Sequence, residues 1–470
     1  MRFPKLASFL LLSISLICVA KTKFPDTPAG HQFAAWLESF NRGDTNLHRE
    51  FLQKNSPSRI SSLDREMSFR QRTGGFDLKK IDESTATKVT ALVQERSSDQ
   101  MARLTLEVQA EEPHQIIKIE LSAIPRPAEY ALPHLSESAL LTATRKNVEA
   151  DVAADSFAGA VLIAKHGKVV LSEAYGLADR EHKTSNTLKT RFRIGSMNKM
   201  FTAVSILQLA QARKLELTDT VGKYLTDYPN KDIASKVTIH QLLTHTGGTG
   251  DIFGPEFDAH RLELRTLQDY VNLYGNRAPK FEPGSRWEYS NYGFILLGAI
   301  IEKVSGQSYY DYVREHVYVP AGMTSTGSEP EDNAVSDRSV GYTKMDSAAW
   351  APNTDALPYR GSSAGGGYST AEDLVRFADA LQSHKLLDAL YTEMLTTGKQ
   401  GTPNYSYAYG FEDRMVNGAR CFGHGGGAPG MNGDLKICPR TGYVIAVLAN
   451  LDPPAASRVS DFVANRLPER

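Results

Sequence analysis

The stretch Phe192-Arg-Ile-Gly-Ser-Met-Asn-Lys-Met-Phe-Thr-Ala-Val-Ser-Ile-Leu-Gln-Leu-Ala210 decides how the chain is read. It has the form of a turn that enters a buried helix. Gly195 and Ser196 sit at the turn. Met200, Phe201, Val204, Ile206, Leu207 and Leu209 then cover more than one helical face, as in a helix packed on most sides. Ser196 and Lys199 are three residues apart, so they share a face of the first turn. The helix N-terminus places free N–H groups and positive potential beside the serine oxygen. A serine hydroxyl needs a nearby base to become a nucleophile. A lysine whose charge is disfavoured by burial can be that base. A lone Ser-x-x-Lys also recurs by chance as a helix cap followed by a solvated lysine, so the rest of the chain has to discriminate.

Composition narrows the classes. The chain is 41% apolar and 23% charged, with 53 Lys+Arg against 54 Asp+Glu. It has no basic stripe and no acidic tail, so neither nucleic acid nor a polybasic membrane contact is expected as a partner. Residues 1–20 read as a secretory signal peptide. Arg2 and Lys5 precede an apolar run from Leu6 to Val19, and Cys18-Val19-Ala20 offers a small-residue cleavage site. The run is short for a membrane span; an uncleaved anchor is the alternative. The large Ile17 before Cys18 argues against a lipid anchor there. The expected location is secreted or periplasmic, with no membrane span after signal removal. About 450 residues remain, more than one core usually holds.

Residues 24–124 read as a small α+β accessory domain. His31–Phe40, Leu47–Lys54 and Ser58–Gln71 have helical character. Phe76–Ile81, Thr87–Gln94, Ala102–Val108 and Ile116–Ala123 alternate as strands. Its three histidines, His31, His48 and His114, are expected to be packed or solvated. The segment loosely resembles the nuclear-transport-factor-like cone domains. Residues 125–134, with Pro125, Pro127 and Pro133, read as a linker. The large domain, 135–470, opens with a helix through Ala153. A hairpin follows, Gly159–Ala164 and Lys168–Ser172, turned at His166-Gly167.

Two more elements in it bear chemistry. Tyr289-Ser-Asn291 stands on the turn entering the apolar helix Gly293–Val304. It offers a phenol for proton transfer and an amide for a carbonyl; a helix cap with a packed tyrosine is the plain alternative. Phe422-Gly-His-Gly-Gly-Gly-Ala-Pro-Gly430 is a glycine-rich strand edge, which lets a backbone or ligand come close. Strands Gly433–Ile437 and Tyr443–Asn450 follow it. Cys421 and Cys438 flank this hairpin, and pairing about Ala428–Met431 sets them roughly opposite; both a disulfide and two small buried thiols fit. His245, in Leu242-Leu-Thr-His-Thr-Gly-Gly248, is expected to be structural. Gly361-Ser-Ser-Ala-Gly365 matches the nucleophile elbow Gly-x-Ser-x-Gly. It lacks the strand before it, and the next helix starts only at Ser369, with Glu372 completing a capping box, so Ser363 is rejected as nucleophile. No Cys/His cluster has zinc spacing, and neither metal nor cofactor is expected.

In their order, Ser196-x-x-Lys199, Tyr289-Ser-Asn291 and His424-Gly-Gly426 resemble the serine β-lactamase and penicillin-binding-protein superfamily. The likeness is closest to its branch of class C β-lactamases, D-Ala-D-Ala carboxypeptidases, D-aminopeptidases and family VIII esterases. It spans 135–470. It implies an α/β (α+β) fold: an antiparallel sheet flanked by helices, beside a helical region. By matching position it implies Ser196 as nucleophile, with Lys199 and Tyr289 as proton-transfer pair. It places substrate binding at Asn291, His424, Gly425 and Gly426, and an oxyanion hole at the N–H groups of Ser196 and Gly427. The implied function is a secreted serine hydrolase working through an acyl-enzyme on esters, D-amino-acid peptides or peptidoglycan. Where many β-lactamases have lysine, this chain has His424, a weaker fixed cation, so β-lactam turnover is expected to be weak or absent. A β-lactamase proper and a non-catalytic penicillin-binding scaffold are the alternatives. Oligomeric state is left open.

Overall fold

The computed structural model describes residues 23–344, 349–402 and 405–469. The signal-peptide expectation for residues 1–20 lies outside them. No helix among the described residues is long and apolar enough to cross a membrane. The chain divides into two compact units between Arg126 and Pro127.

In the first unit, α1 (Pro28–Arg42) starts where Thr27 accepts the Gly30 N–H at 3.0 Å and stops at Gly43, which has φ +71°. Its apolar face, Phe33, Trp36, Leu37 and Phe40, packs on a sheet of β1 (Phe76–Ser84), β2 (Lys88–Glu95), β3 (Met101–Val108) and β4 (Ile116–Ile124). The strands pair in sequential antiparallel order. Helix α2 (Thr45–Asn55) follows α1, but the helix expected over Ser58–Gln71 is split. A 3-10 turn, Pro57–Ser62, precedes α3 (Leu63–Thr73). The Ser62 hydroxyl donates to the Arg59 carbonyl at 2.7 Å, a local bond that competes with helical continuation. His48 is fully buried, hydrogen-bonded to Ser39 and Glu66 at 3.0 Å each, and clamps the three helices together.

The second unit opens with α4 (Glu137–Ala153), β5 (Gly159–Lys165) and β6 (Lys168–Tyr175). It continues through α5 (Asn198–Gln211), α6 (Asn291–Ser305) and α7 (Ala371–Gln382). The other strands of its main sheet are β7 (Gln400–Thr402), β8 (Tyr405–Tyr407), β9 (Glu412–Val416), β10 (Ala419–Ala428), β11 (Met431–Cys438) and β12 (Tyr443–Ala449). Helix α8 (Ala455–Ala464) closes the chain. Among the described residues the main sheet has eight strands in the order β7-β8-β9-β10-β11-β12-β5-β6, every pair antiparallel.

Strand β5 is a continuous apolar run because both its faces are covered. Val161 and Ile163 join Ile445 and Val447 under α4 and α8. Ala160, Leu162 and Ala164 join Ala446 and Leu448 against the α5 side. Helix α5 lies in that second core, and Phe201 meets the Phe377 ring edge-on at 4.9 Å. The cap of α7 is one residue beyond the expected start: Thr370, not Ser369, accepts the Asp373 N–H at 3.2 Å.

The β10–β11 hairpin turns at Pro429-Gly430, with Ala428 opposite Met431. That register brings Cys421 across from Cys438, and the structure forms the disulfide between them. It closes a loop 17 residues apart in sequence. By chain-entropy arguments, replacing both cysteines with alanine should lower the unfolding free energy by about 3 kcal/mol, read from urea denaturation.

Candidate active site

Ser196 lies in a single 3-10 turn, Gly195–Met197, that feeds directly into α5. Gly195 has φ +52°, a conformation that disfavours side chains, and a Cβ there would stand 3.1 Å from the Gly427 nitrogen. Gly426 is constrained more tightly, since a Cβ on it would fall 1.9 Å from the Ile194 carbonyl oxygen. The glycine-rich strand and the serine turn therefore meet backbone to backbone. The β9–β10 ladder ends at Glu412–Gly423, so from His424 onward β10 pairs on the β11 side alone. Gly427 is exposed, Gly425 partly so, and Gly426 is buried.

The Ser196 side of the turn is partly open, whereas Lys199, one turn on, is 0% exposed. The Lys199 ammonium nitrogen lies 3.2 Å from Ser196 Oγ and donates to Asn291 Oδ1 at 2.7 Å and to the Ala364 carbonyl. It also sits 4.8 Å from the Tyr289 ring centroid and 5.5 Å from that of Phe294. Burial pushes its pKa down to about 7, against an opposing pull from the Asp251 carboxylate. Tyr289 lies beside Ser196, and burial raises its pKa above the ordinary 10. At neutral pH the pair thus combines an amine poised to lose its proton with a phenol that keeps its own.

The turn before α6 sets two of these groups. Ser290 caps the helix by accepting the Gly293 N–H at 2.9 Å. The plain reading of Tyr-Ser-Asn as a cap thus holds for its middle residue, while the cap fixes Tyr289 and Asn291 on either side. The Asn291 amide nitrogen donates to Asp251, at 2.9 Å to Oδ1 and 3.2 Å to Oδ2. That leaves its carbonyl facing Lys199.

His424 is 3% exposed. Its Nδ1 donates to the Gly425 carbonyl, so its Nε2 accepts from the Tyr407 hydroxyl at 2.9 Å. Burial pushes its pKa below the ordinary 6.5. Both ring nitrogens are thus engaged within the protein. His245 is buried as well and has φ +59°. Its Nδ1 accepts the Ser290 N–H at 3.1 Å, and its ring packs 4.3 Å from Tyr289 and 4.5 Å from Tyr407. It is a packing histidine, as expected, but it braces the turn that carries Tyr289. Ser363 is fully buried, away from solvent. Its segment contributes carbonyls instead: Ser362 accepts from Asn198, Ser363 from Thr202, and Ala364 from Lys199.

Ser196, Lys199, Tyr289 and Asn291 are thus gathered in one cluster, with the Gly425–Gly427 strand against the serine turn. Three members had no signature in the sequence. Asp251 lies six residues past His245 in a glycine-rich loop, Ala364 acts through its backbone, and Tyr407 comes from a short strand.

An antiparallel sheet with a serine at the mouth of a central helix, and a lysine buried behind it, is the architecture of the serine β-lactamase and penicillin-binding-protein superfamily. The family model described as Beta-lactamase matches residues 144–468, and the chain belongs to that family. It is similar to "Putative penicillin-binding protein PbpX" of Bacillus subtilis, 32% identical over 293 residues that cover 62% of this chain and 70% of that one. Among solved structures it resembles a penicillin binding protein from Bacillus halodurans at TM-score 0.61 and 32% identity, covering 67% of this chain and 98% of that one. A D-stereospecific amidohydrolase from Streptomyces sp. matches at TM-score 0.59 and 28% identity, over 69% and 98%.

Tyr407→Phe should leave the buried His424 nitrogen without its donor. The expected cost is about 1–3 kcal/mol of stability, read as a lowered urea midpoint.

Proposed function

We propose that the protein is a secreted serine hydrolase that opens esters or D-amino-acid amides and peptides through an acyl-enzyme on Ser196. The observation that carries this is the set of partners around Lys199. A neutral amine has two hydrogens, and two carbonyls, Asn291 Oδ1 and Ala364 O, are placed to accept them. Its lone pair is then left for the Ser196 hydroxyl 3.2 Å away.

In the forward step the Ser196 oxygen bonds to the acyl carbon as its proton passes to Lys199. Collapse of the tetrahedral adduct breaks the bond to the leaving alcohol or amine. That group takes the proton through Tyr289, which lies beside Ser196. Water then adds to the acyl-enzyme carbonyl and gives its proton to the same pair. The carboxylic acid leaves and Ser196 regains its hydrogen. The N–H groups of Ser196 and Gly427 hold the oxyanion, each worth about 3 kcal/mol in the transition state. The close approach of Gly195 to the Gly427 nitrogen favours this pairing. His424, neutral and turned inward, supplies no fixed cation for a substrate carboxylate, which favours weak β-lactam turnover.

Ser196→Ala should lower kcat/KM for p-nitrophenyl butyrate by at least about a thousandfold. It should also abolish any penicilloyl adduct seen by intact mass. Full activity in that variant would sink the assignment. Because the base works as the free amine, wild-type kcat/KM should rise with pH, with a midpoint near 7, and then level off. A profile flat from pH 5.5 to 8.5 would contradict a lysine base.

A further inference from the structure

The peptide that joins Gly426 to Gly427 has glycine on both sides, so no side chain of its own fixes its plane. Beyond Gly423 the strand β10 has lost its β9 partner, and only the β11 side holds it. One buried side chain compensates. Asn432 stands on β11 opposite Gly427 and is 5% exposed. Its Nδ2 donates to the Gly426 carbonyl at 2.8 Å. Its Oδ1 accepts the N–H groups of Ala456 and Ser457, at 2.7 and 3.1 Å. Those two groups belong to the first turn of α8, whose N-cap residue, Pro454, supplies no capping side chain. Backbone N–H groups only donate, so the amide oxygen of Asn432 must face the helix and its nitrogen must face Gly426.

The Gly426–Gly427 peptide passes this contact on. In a trans peptide the C=O and the N–H point in opposite directions. Drawing the Gly426 carbonyl toward Asn432 therefore turns the Gly427 N–H away from it. The Gly427 nitrogen is also the atom that meets the serine turn, since a Cβ on Gly195 would stand 3.1 Å from it. The dipoles line up end to end. Helix N–H groups point at the Asn432 oxygen, the Asn432 amide N–H points at the Gly426 oxygen, and the Gly427 N–H ends the chain. Hydrogen bonds in such a series polarise one another, and the positive end of α8 adds to them.

Resting on the hydrolase reading above, we propose that Asn432 is a positioning residue that couples the N-terminus of α8 to the Gly427 N–H, and so orients and polarises that oxyanion donor. It acts through the Gly426 carbonyl and touches neither Ser196 nor the substrate. Its effect is felt when negative charge develops on the acyl oxygen, so it supports the transition state rather than substrate binding.

The test uses two variants and a sulfur probe. Asn432→Asp keeps an acceptor for both helix N–H groups and loses the donor to Gly426. Asn432→Leu keeps the shape and loses both. p-Nitrophenyl butyrate and its thionoester differ in the atom that enters the oxyanion hole, and sulfur is the poorer hydrogen-bond acceptor. Assayed at about pH 8, Asn432→Asp should lose about ten- to hundredfold in kcat/KM on butyrate, less than removal of a whole oxyanion donor costs. Its urea midpoint should stay near that of wild type, because α8 is still capped. The thionoester rate should fall by less than about threefold, so the preference for oxygen over sulfur contracts. Asn432→Leu should lose as much on butyrate, with a lowered urea midpoint. Wild type gives a readout that needs no folded variant. When phenylboronic acid forms its tetrahedral anion on Ser196, the Asn432 side-chain N–H should move downfield in the NMR spectrum as the chain tightens. A folded Asn432→Asp with wild-type kcat/KM on butyrate, equal losses on the oxygen and sulfur esters, or an Asn432 amide signal unmoved by the boronate would each overturn the proposal. Failure of wild type on butyrate, with no labelling of Ser196 by penicillin, would instead bring down the hydrolase reading beneath it.

Discussion

Removing one amine from water organises the site. Lys199 has no exposed surface, and a buried ammonium with no adjoining carboxylate is costly. The chain meets that cost by surrounding the nitrogen with carbonyl oxygens from Asn291 and Ala364 and by letting the amine approach neutrality near pH 7. The residues that form this cage come from α5, from the start of α6 and from the 361–365 segment. Keeping the lysine buried therefore requires all three to be in place. The Ser290 cap, the inward-facing His245 and the Asp251–Asn291 contact each fix one wall of the cage.

A second constraint is steric. The serine turn and β10 approach so closely that Gly426 leaves no space for a methyl group, and Gly195 leaves little. This contact joins the helical side of the domain to the sheet at the point where Ser196 emerges. The disulfide between β10 and β11 and the two cores on either face of the sheet hold β10 in that position. In the proposed reaction, rigidity of the strand and burial of the lysine would serve the same end, since catalysis by fixed dipoles needs donors that do not move as charge develops.

The legible and the hidden parts of the molecule differ by how local their causes are. The signals for α5, for the β5–β6 hairpin and for the four strands of the first unit were periodicity and turn residues, which act over a few positions. The structure has these elements within a few residues of the expected bounds. The split at Pro57–Ser62 was missed because a serine hydroxyl diverted to a nearby carbonyl leaves no periodic trace. For His424 the sequence offers only a glycine-rich strand edge beside a groove. Its actual partners, Tyr407 and its own neighbour's carbonyl, depend on a strand pairing that no local pattern reports.

By itself the sequence determined the antiparallel fold class and the family, through three short motifs in order, each on a turn or strand edge whose geometry is set locally. It also singled out the candidates for nucleophilic and proton-transfer chemistry, because only a few residue types can do that work. Tertiary structure alone decided the electrostatics. Whether Lys199 is charged depends on total burial by distant segments. Which way Asn291 turns depends on Asp251, forty residues earlier in the chain. That the cysteines are joined depends on the hairpin register. Burial and pairing of charge are sums over everything within a few ångströms, and the folded chain draws those neighbours from parts that lie far apart in sequence.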